Sequence, residues 1–373
     1  MPALRRFGII AAMKKNTVLT IVGALVAAHV HGDTDGRCIA SHPDVMVSVV
    51  QDVPGYNSWP VVQVAGERII CTYSRGSGHF AEGARGAIFR TSDDGGRTWG
   101  EEQCITNAPD ICEGTEGGGR DGDGNVLFWM NCRGHGKILH ELYRTRDGVR
   151  FERLSAPKLD PEPMQVTGIF QVRNSDGDGL MSLWFSGNYR KIESGHSWGT
   201  LFSTDGGATW KQRTVESDLP KSEWPTEMCA APLGGGRIIA IGRSEDRNRP
   251  QFQLTSSDGG ITWAKSRTNI ADIWESTPAL VYDGKTGIVH NYYYQRGPGI
   301  LWRRSAPAES VFSSPCSWPA PVEIARGGRN RPYDSGNVIA VAGPGAHYLT
   351  LYSGNPTNTA VYFAAIPATL GVR

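Results

Sequence analysis

One short pattern recurs along this 373-residue chain and constrains its fold more than any other feature. The pattern Ser-x-Asp-x-Gly-x-Thr-Trp occurs at residues 92–99, 203–210 and 256–263, each time after a short apolar run. An Asp-Gly-Gly sequence between two strand-like segments predicts a tight turn, because glycine accepts a positive φ and the aspartate side chain caps the turn. Three copies of such a turn indicate a repeat protein.

Weaker copies extend the repeat over most of the chain. Residues 145–151 replace the serine by threonine and the tryptophan by phenylalanine, and an eroded copy runs from Ser305 to Trp318. The aromatic residues that end these turns recur at roughly 55-residue intervals, about the length of one four-stranded propeller blade. Six hairpins of apolar strands accompany the turns, so we predict an all-β chain folded as a six-bladed β-propeller.

The last blade is one strand short, because a single strand-like run, 360–364, follows its hairpin. The early run 45–50 has no blade of its own. We predict that it supplies the missing outer strand and closes the ring, which removes an open sheet edge. In this arrangement the second strands of the six hairpins end on one face around the axis. The recurring turns lie at the periphery, where they hold the blades together.

The charge balance and the N-terminal segment bear on location and partners. A net charge of +1 gives no reason to expect nucleic acid or an anionic membrane surface as a partner. Lys14 and Lys15 precede an apolar run at 18–30 that ends in small residues, which is typical of a secretory signal peptide. We therefore predict a leader at 1–32, a propeller at 33–373, and a secreted or periplasmic monomer without stable membrane insertion, since the run is short for a membrane span.

Neither the cysteines nor the acidic loops indicate a metal. The seven cysteines include no Cys-x-x-Cys pair, so we predict no zinc site. In an exported chain Cys104 and Cys112 could close a short loop, although buried, unpaired cysteine is the simpler interpretation. Segments 120–125 and 174–179 resemble calcium loops in composition but lack the trailing glutamate, so we interpret them as hairpin turns. No cofactor is predicted.

Charged and aromatic residues gather at the strand ends on the predicted rim. Glu227 and Trp59 fall at the starts of first strands, and Tyr333 falls at the start of the last hairpin. Guanidinium groups bind carboxylates through a planar fork, so several of them near a propeller axis predict a site for an acidic ligand. The alternative is that each arginine pairs with a rim carboxylate and only ties blades together. Four arginines occupy equivalent or near-equivalent rim positions: Arg75, Arg133, Arg243 and Arg296.

The recurring turns resemble the Asp-boxes of the sialidase (neuraminidase) superfamily, and the resemblance covers nearly the whole chain after the leader. The spacing of the rim residues adds to it. Glu227 and Arg243 resemble the family's glutamate and the arginine that closes the next strand. Arg296 resembles the further arginine of the next blade, and Tyr333 resembles the tyrosine at the start of the sixth blade.

This resemblance implies a glycoside hydrolase that cleaves sialic acid from glycans with retention of configuration. Tyr333 would be the nucleophile, because the carboxylate on the anomeric carbon of the substrate would repel a carboxylate nucleophile. Glu227 would take the tyrosine proton. Arg243 and Arg296 would hold the substrate carboxylate. Trp59 could stack on a sugar ring.

Two parts of the family pattern are absent. The aromatic-Arg-Ile-Pro motif of blade one reads Tyr-Asn-Ser-Trp-Pro here, so the family's three arginines reduce to two unless Arg75 or Arg85 contributes. The loop after the second strand of that blade contains no aspartate. Glu82 or His79 would therefore be the general acid, and we prefer Glu82 because a glutamate with a raised pKa suits that role.

These departures leave three alternatives open. The chain could be an endo-acting hydrolase of polysialic acid, or an enzyme for a different acidic sugar. It could also be a non-catalytic propeller that binds acidic glycans or a protein partner.

Overall fold

The computed structural model describes residues 38–79, 85–246, 248–272, 276–327 and 335–370. The predicted leader at 1–32 lies outside the described residues, so the boundary at residue 33 stays a prediction. Contacts along the chain group Asp35–Arg373 into one unit.

The described residues of this unit form six antiparallel sheets, which confirms the predicted six-bladed propeller. Strands β1 (Cys38–Ala40) and β2 (Met46–Gln51) precede the first blade. Blade one contains β3 (Tyr56–Ala65), β4 (Arg68–Gly76), β5 (Gly86–Ser92) and β6 (Gln103–Thr106). Blade two contains β7 (Cys112–Arg120), β8 (Val126–Gly134), β9 (Lys137–Thr145) and β10 (Glu152–Ser155). Blade three contains β11 (Gln165–Asn174), β12 (Gly177–Ser186), β13 (His196–Ser203) and β14 (Lys211–Leu219).

The remaining three blades follow the same meander. Blade four contains β15 (Pro225–Gly234), β16 (Arg237–Ser244), β17 (Phe252–Ser256) and β18 (Ala264–Arg267), after a 3₁₀ turn at Lys221–Glu223. Blade five contains β19 (Ala279–Asp283), β20 (Ile288–Gln295), β21 (Ile300–Pro307) and β22 (Val322–Gly327). Blade six contains β23 (Ser335–Gly343), β24 (Ala346–Asn355) and β25 (Asn358–Pro367).

The ring closes with the N-terminal strand, as predicted. Strand β2 pairs antiparallel with β25, with Val47 opposite Ala364, and becomes the outer strand of blade six. Strand β1 was not predicted. It pairs with β22, with Ile39 opposite Arg326, and gives blade five a fifth strand.

The recurring turns join the third and fourth strands of their blades and share one hydrogen-bond scheme. In the first copy the Asp94 carboxylate accepts bonds from the Thr98 hydroxyl at 2.5 Å and the Thr98 amide at 2.9 Å. The Ser92 hydroxyl donates to Asp94 at 2.7 Å and accepts from the Gly96 amide at 2.8 Å. Equivalent bonds recur around Asp205 and Asp258. These bonds to the ionised form hold the pKa of the three aspartates below its ordinary value.

Each of these turns contacts the preceding blade. The Trp99 ring lies 5.4 Å from Phe363 of blade six, and the Trp210 ring lies 5.0 Å from Trp129 of blade two. The eroded copy predicted around Ser305–Trp318 differs, because a short helix, α1 (Ala308–Ser313), replaces the turn there. Because the turns join the two outer strands of their blades, they lie away from the axis.

The core lies between blades, because alternate residues of each strand face opposite neighbours. Trp129 and Trp184, both with no exposed surface, belong to the cluster between blades two and three. Gly117 and Gly119 allow the backbones of β7 and β11 to meet, since a Cβ at either position would overlap the backbone at Gly168 or Ile169. The three consecutive glycines of β7 therefore serve packing between blades.

The structure also locates the cysteines and one of the acidic segments. All seven cysteines lie in described residues and are unpaired, so the possible Cys104–Cys112 loop does not form. Asp121 accepts bonds from the Asp123 and Asn125 amides, which makes this acidic segment the turn between β7 and β8. Within the described residues there is no cluster of three metal-ligating side chains. Neither short helix described has the length and hydrophobicity needed to cross a membrane.

Candidate active site

A cavity of about 1510 Å³ lies on the axis, and residues at or near the inner strand of every blade line it. Its size exceeds the ~300–1,000 Å³ typical of small-ligand pockets. The predicted site residues that line it are Trp59, His79, Arg85, Arg133, Glu227, Arg243 and Arg296.

A β-bulge at equivalent positions of five inner strands forms the wall of this cavity. The register of β3, β7, β11, β15 and β23 against its neighbour shifts by an extra residue near the strand start. At four of these bulges a residue adopts a positive φ: Trp59, Gly168, Glu227 and Asn337, at 52°, 61°, 43° and 49°. A non-glycine residue in this conformation costs about 1–3 kcal/mol, and such strain concentrates at functional sites.

Glu227 occupies the bulge of blade four and is held by two neighbours. Arg243, on the paired strand β16, donates from Nη1 to Glu227 Oε1 at 2.7 Å. The Thr277 hydroxyl, from the start of blade five, lies 2.6 Å from Glu227 Oε2 and 3.0 Å from the Asn337 side-chain oxygen. The Glu227 side chain is 15% exposed and that of Arg243 is 11% exposed. The carboxylate is therefore oriented from two sides and still reached from the cavity.

The charge state of Glu227 follows from its neighbours. Burial opposes ionisation, but Arg243, the Thr277 hydrogen bond and Arg296 outweigh it, and they hold the pKa of Glu227 below its ordinary value. Glu227 is therefore ionised at neutral pH and can accept a proton.

Arg243 lies between two carboxylates. Its Nε is 3.0 Å from Glu245 Oε1, while Nη1 binds Glu227. Glu245 is nearly buried, with its side chain 3% exposed, and it accepts a bond from the Thr226 hydroxyl at 2.5 Å. Glu245 directly follows the last residue of β16 and stands two positions from Arg243, a spacing that sequence reasoning did not use.

Arg296, at the end of β20, completes the positive charge beside Glu227. Arg296 is 5% exposed, and its positive charge helps to lower the pKa of Glu227. Gly336 of blade six comes close to it, since a Cβ there would lie 3.5 Å from Arg296 Nε. Tyr333 precedes this glycine in the sequence, but it lies outside the described residues, as does Glu82.

His79 and Arg85 lie on the blade one side of the cavity. The His79 Nδ1 is hydrogen-bonded to the Tyr56 hydroxyl. Burial, with the charges of Arg85 and Arg296, lowers the pKa of His79 to about 4. The imidazole is therefore neutral at pH 7, which disfavours His79 as a general acid.

Arg85 is almost completely buried yet has no carboxylate partner among the described residues. Its guanidinium carbon lies 4.6 Å from the centre of the Trp59 ring, and Nη2 donates to the Gly78 carbonyl. Its Nη1 has no hydrogen-bond partner in the described part of the chain. Because one face of Trp59 packs on this cation, only the other face is available to a sugar.

The other two predicted arginines differ from each other. Arg75 forms an ion pair with Glu102, outside the residues that line the cavity, so the structure does not bring it to the others. Arg133 lines the cavity and is exposed. Among the cavity residues that sequence reasoning missed are Glu116, Tyr189, Glu245, Thr277 and Asn337.

Comparison with known proteins agrees with this fold. No protein-family model matches the chain. A sialidase from Micromonospora viridifaciens is 23% identical over 279 residues, which cover 70% of this chain and 36% of the relative. The chain thus spans about a third of the length of that relative.

Solved structures with the same fold include sialidases and a protein without a known role. A protein of unknown function from Dyadobacter fermentans matches with a TM-score of 0.65 at 16% identity, covering 87% of this chain and 100% of that one. The NanB sialidase from Streptococcus pneumoniae matches with a TM-score of 0.60 at 13% identity, covering 88% and 71%. The chain is thus similar to a sialidase in sequence, and it shares the propeller fold of these solved structures.

Proposed function

We propose that the protein is a glycoside hydrolase that cleaves sialic acid, or a related acidic sugar, from glycans with retention of configuration. The observation that carries the proposal is the ionised Glu227, hydrogen-bonded by Arg243 and Thr277 at the wall of the axial cavity. A carboxylate held in this way is a general base in place for a neutral nucleophile.

The charges around Glu227 suit an acidic ligand. Arg85, Arg243 and Arg296 contribute three positive charges, and Glu227 and Glu245 contribute two negative charges. One carboxylate of a bound sugar would therefore balance this group. Arg85 also supports the proposal, because its Nη1 has no hydrogen-bond partner among the described residues. It would serve in place of the arginine that the start of blade one lacks.

In the proposed reaction Tyr333 attacks the anomeric carbon as Glu227 takes the phenol proton. The bond between the anomeric carbon and the tyrosine oxygen forms while the glycosidic bond breaks, and a general acid protonates the leaving oxygen. Water then cleaves the tyrosyl intermediate, assisted by the same two groups. Glu82 is the acid that we propose, because His79 is neutral at pH 7.

The leader predicted at 1–32 supports an exported enzyme, so we propose acidic glycans outside the cytoplasm as its substrates. The test is hydrolysis of sialyl conjugates and polysialic acid by the wild type and by Tyr333→Phe and Glu227→Gln. We expect both variants to lose about 10²–10⁴-fold in kcat, the contribution typical of a positioned acid–base group. Tyr143→Phe is the matched control, since that hydroxyl binds Glu141 away from the cavity.

Each outcome has a distinct meaning. Unchanged activity in Tyr333→Phe would refute the assigned nucleophile. NMR of the first product reports the anomeric configuration, and inversion there would refute the covalent route. A second function, binding of acidic glycans without turnover, is favoured by the missing arginine near Asn57 and Ser58 and by the missing aspartate in the loop of blade one. Calorimetric binding of a sialyl oligosaccharide with no hydrolysis would select it.

A further inference from the structure

Arg133 lies on the blade two side of the axial cavity, where the proposed reaction does not use it. It is exposed at the end of β8, and no carboxylate of the described residues forms an ion pair with it. An exposed surface arginine is common, but this one faces a cavity that is larger than one sugar requires.

The Arg133 side chain is held in place by a buried network. Its Nε donates to Asn131 Oδ1 at 2.8 Å and its Nη2 to the Met164 carbonyl at 2.8 Å. Asn131 is 8% exposed and donates in turn to Glu116 Oε2 at 2.9 Å. A guanidinium fixed in this way loses little conformational entropy when it binds a ligand.

Glu116 does not neutralise Arg133, because Glu116 has its own partner. His140 Nδ1 lies 2.5 Å from Glu116 Oε1, and His140 Nε2 lies 3.0 Å from the Pro163 carbonyl. Both ring nitrogens face acceptors, which a doubly protonated imidazolium satisfies. Burial opposes this charge, but Glu116 outweighs it and raises the pKa of His140. Glu116 is thus engaged by His140 and Asn131, and Arg133 has no ion-pair partner among the described residues.

Tyr189 lines the same cavity and lies beside Arg243. The guanidinium carbon of Arg243 lies 5.8 Å from the Tyr189 ring centre. Burial and the charges of Glu227 and Glu245 raise the pKa of Tyr189, while Arg243 and Arg133 act in the opposite direction. Lys221, which also lines the cavity, donates to the Tyr189 carbonyl at 2.7 Å.

We propose that Arg133 forms a second acid-binding subsite, on the blade two side of the cavity, for the next acidic sugar of the glycan chain. The substrate class is then a glycan with two consecutive acidic sugars. This inference rests on the proposed function, since the first acidic sugar occupies the site around Glu227.

The experiment compares two substrates that differ in one acidic sugar: a lactoside with one sialic acid, and the same lactoside with two linked sialic acids. We expect wild type to prefer the diacidic substrate in kcat/KM, and Arg133→Gln to reduce that preference about tenfold, through KM. Arg133→Lys, which keeps the charge but loses the fork, should retain part of it. Arg173→Gln removes a highly exposed arginine outside the cavity and should change nothing.

Wild type without a diacidic preference, or Arg133→Gln with an unchanged preference, would overturn the subsite. If wild type hydrolyses neither substrate, the proposed function fails, and the subsite is decided by calorimetric binding of the same two oligosaccharides. Tighter binding of the diacid that is lost in Arg133→Gln would then support it, and equal binding would reject it. Melting curves of the variants establish that each one is folded.

Discussion

Gly96 tests the role of the recurring turn, because it lies where blade one meets the closing blade. Its carbonyl accepts a bond from the Ser48 hydroxyl of β2 at 2.5 Å. Its φ is 87°, and a Cβ at this position would overlap the Phe363 ring, 2.6 Å from Cδ1 and 2.8 Å from Cζ. Phe363 has no exposed surface, so the ring has little freedom to move away.

The expected cost of Gly96→Ala has two parts. An L-residue in the left-handed region costs about 1–2 kcal/mol. Overpacking against a rigid buried ring adds about 1–3 kcal/mol. The neighbouring Gly95 has a similar φ of 76°, but its Cβ would meet only the end of the Arg97 side chain at 3.4 Å. Gly95→Ala therefore isolates the backbone term.

Urea unfolding followed by tryptophan fluorescence measures both variants. We expect Gly95→Ala to lower the free energy of unfolding by about 1–2 kcal/mol and Gly96→Ala by about 2–5 kcal/mol. Equal losses in the two variants would refute the view that the turn packs tightly against the neighbouring blade.

Two further predictions concern pH. Thr277→Val removes a hydrogen bond to ionised Glu227 and so raises the pKa of Glu227. The acidic limb of the kcat/KM profile should therefore move up by as much as ~1 pH unit. The control Thr286→Val, in an exposed turn, should leave the acidic limb unchanged. An unchanged profile in Thr277→Val would contradict the role given to that hydroxyl. Burial lowers the pKa of His290 to about 3 and that of His347 to about 4. Below pH 6.5 both histidines are protonated in the unfolded chain but not in the folded chain, so the free energy of unfolding should fall by up to ~4 kcal/mol between pH 7 and 5. In His347→Gln this free energy should depend less on pH. A pH dependence equal to that of wild type would argue against the histidines as the cause.

Much of the fold was predictable because the turn motif measures the repeat. The period of the motif sets the number of blades. Counting strands from the motif leaves the run 45–50 without a partner in blade one, and in the structure this run forms β2, which pairs with β25. Strand β1 could not be predicted, because three residues carry no periodic signal. The helix at Ala308–Ser313 lay in the most eroded copy, where the motif residues had already disappeared.

The site was predictable only in part. Glu227 and Arg243 stand 16 residues apart and meet across one hairpin, so strand register alone brings them together. Thr277 and Asn337 come from other blades, and their approach depends on bulges that have no sequence signature of their own. Arg75 does not reach the cavity for a different reason. Its position at a strand end does not determine which face of the strand its side chain takes. Its ion pair with Glu102 draws it away from the axis.

A residue on an inner strand usually has to pack against the neighbouring blade and also shape the cavity. At the bulges of the inner strands these two roles are partly separated. A bulged residue does not take part in the regular alternation that packs blade against blade, so its side chain is less constrained by the core than those of its strand neighbours. The residues found there already range from glycine at 168 to tryptophan at 59 and glutamate at 227. A protein engineer could therefore vary the side chains at these few bulge positions to select new ligand preferences while keeping the stability of the ring.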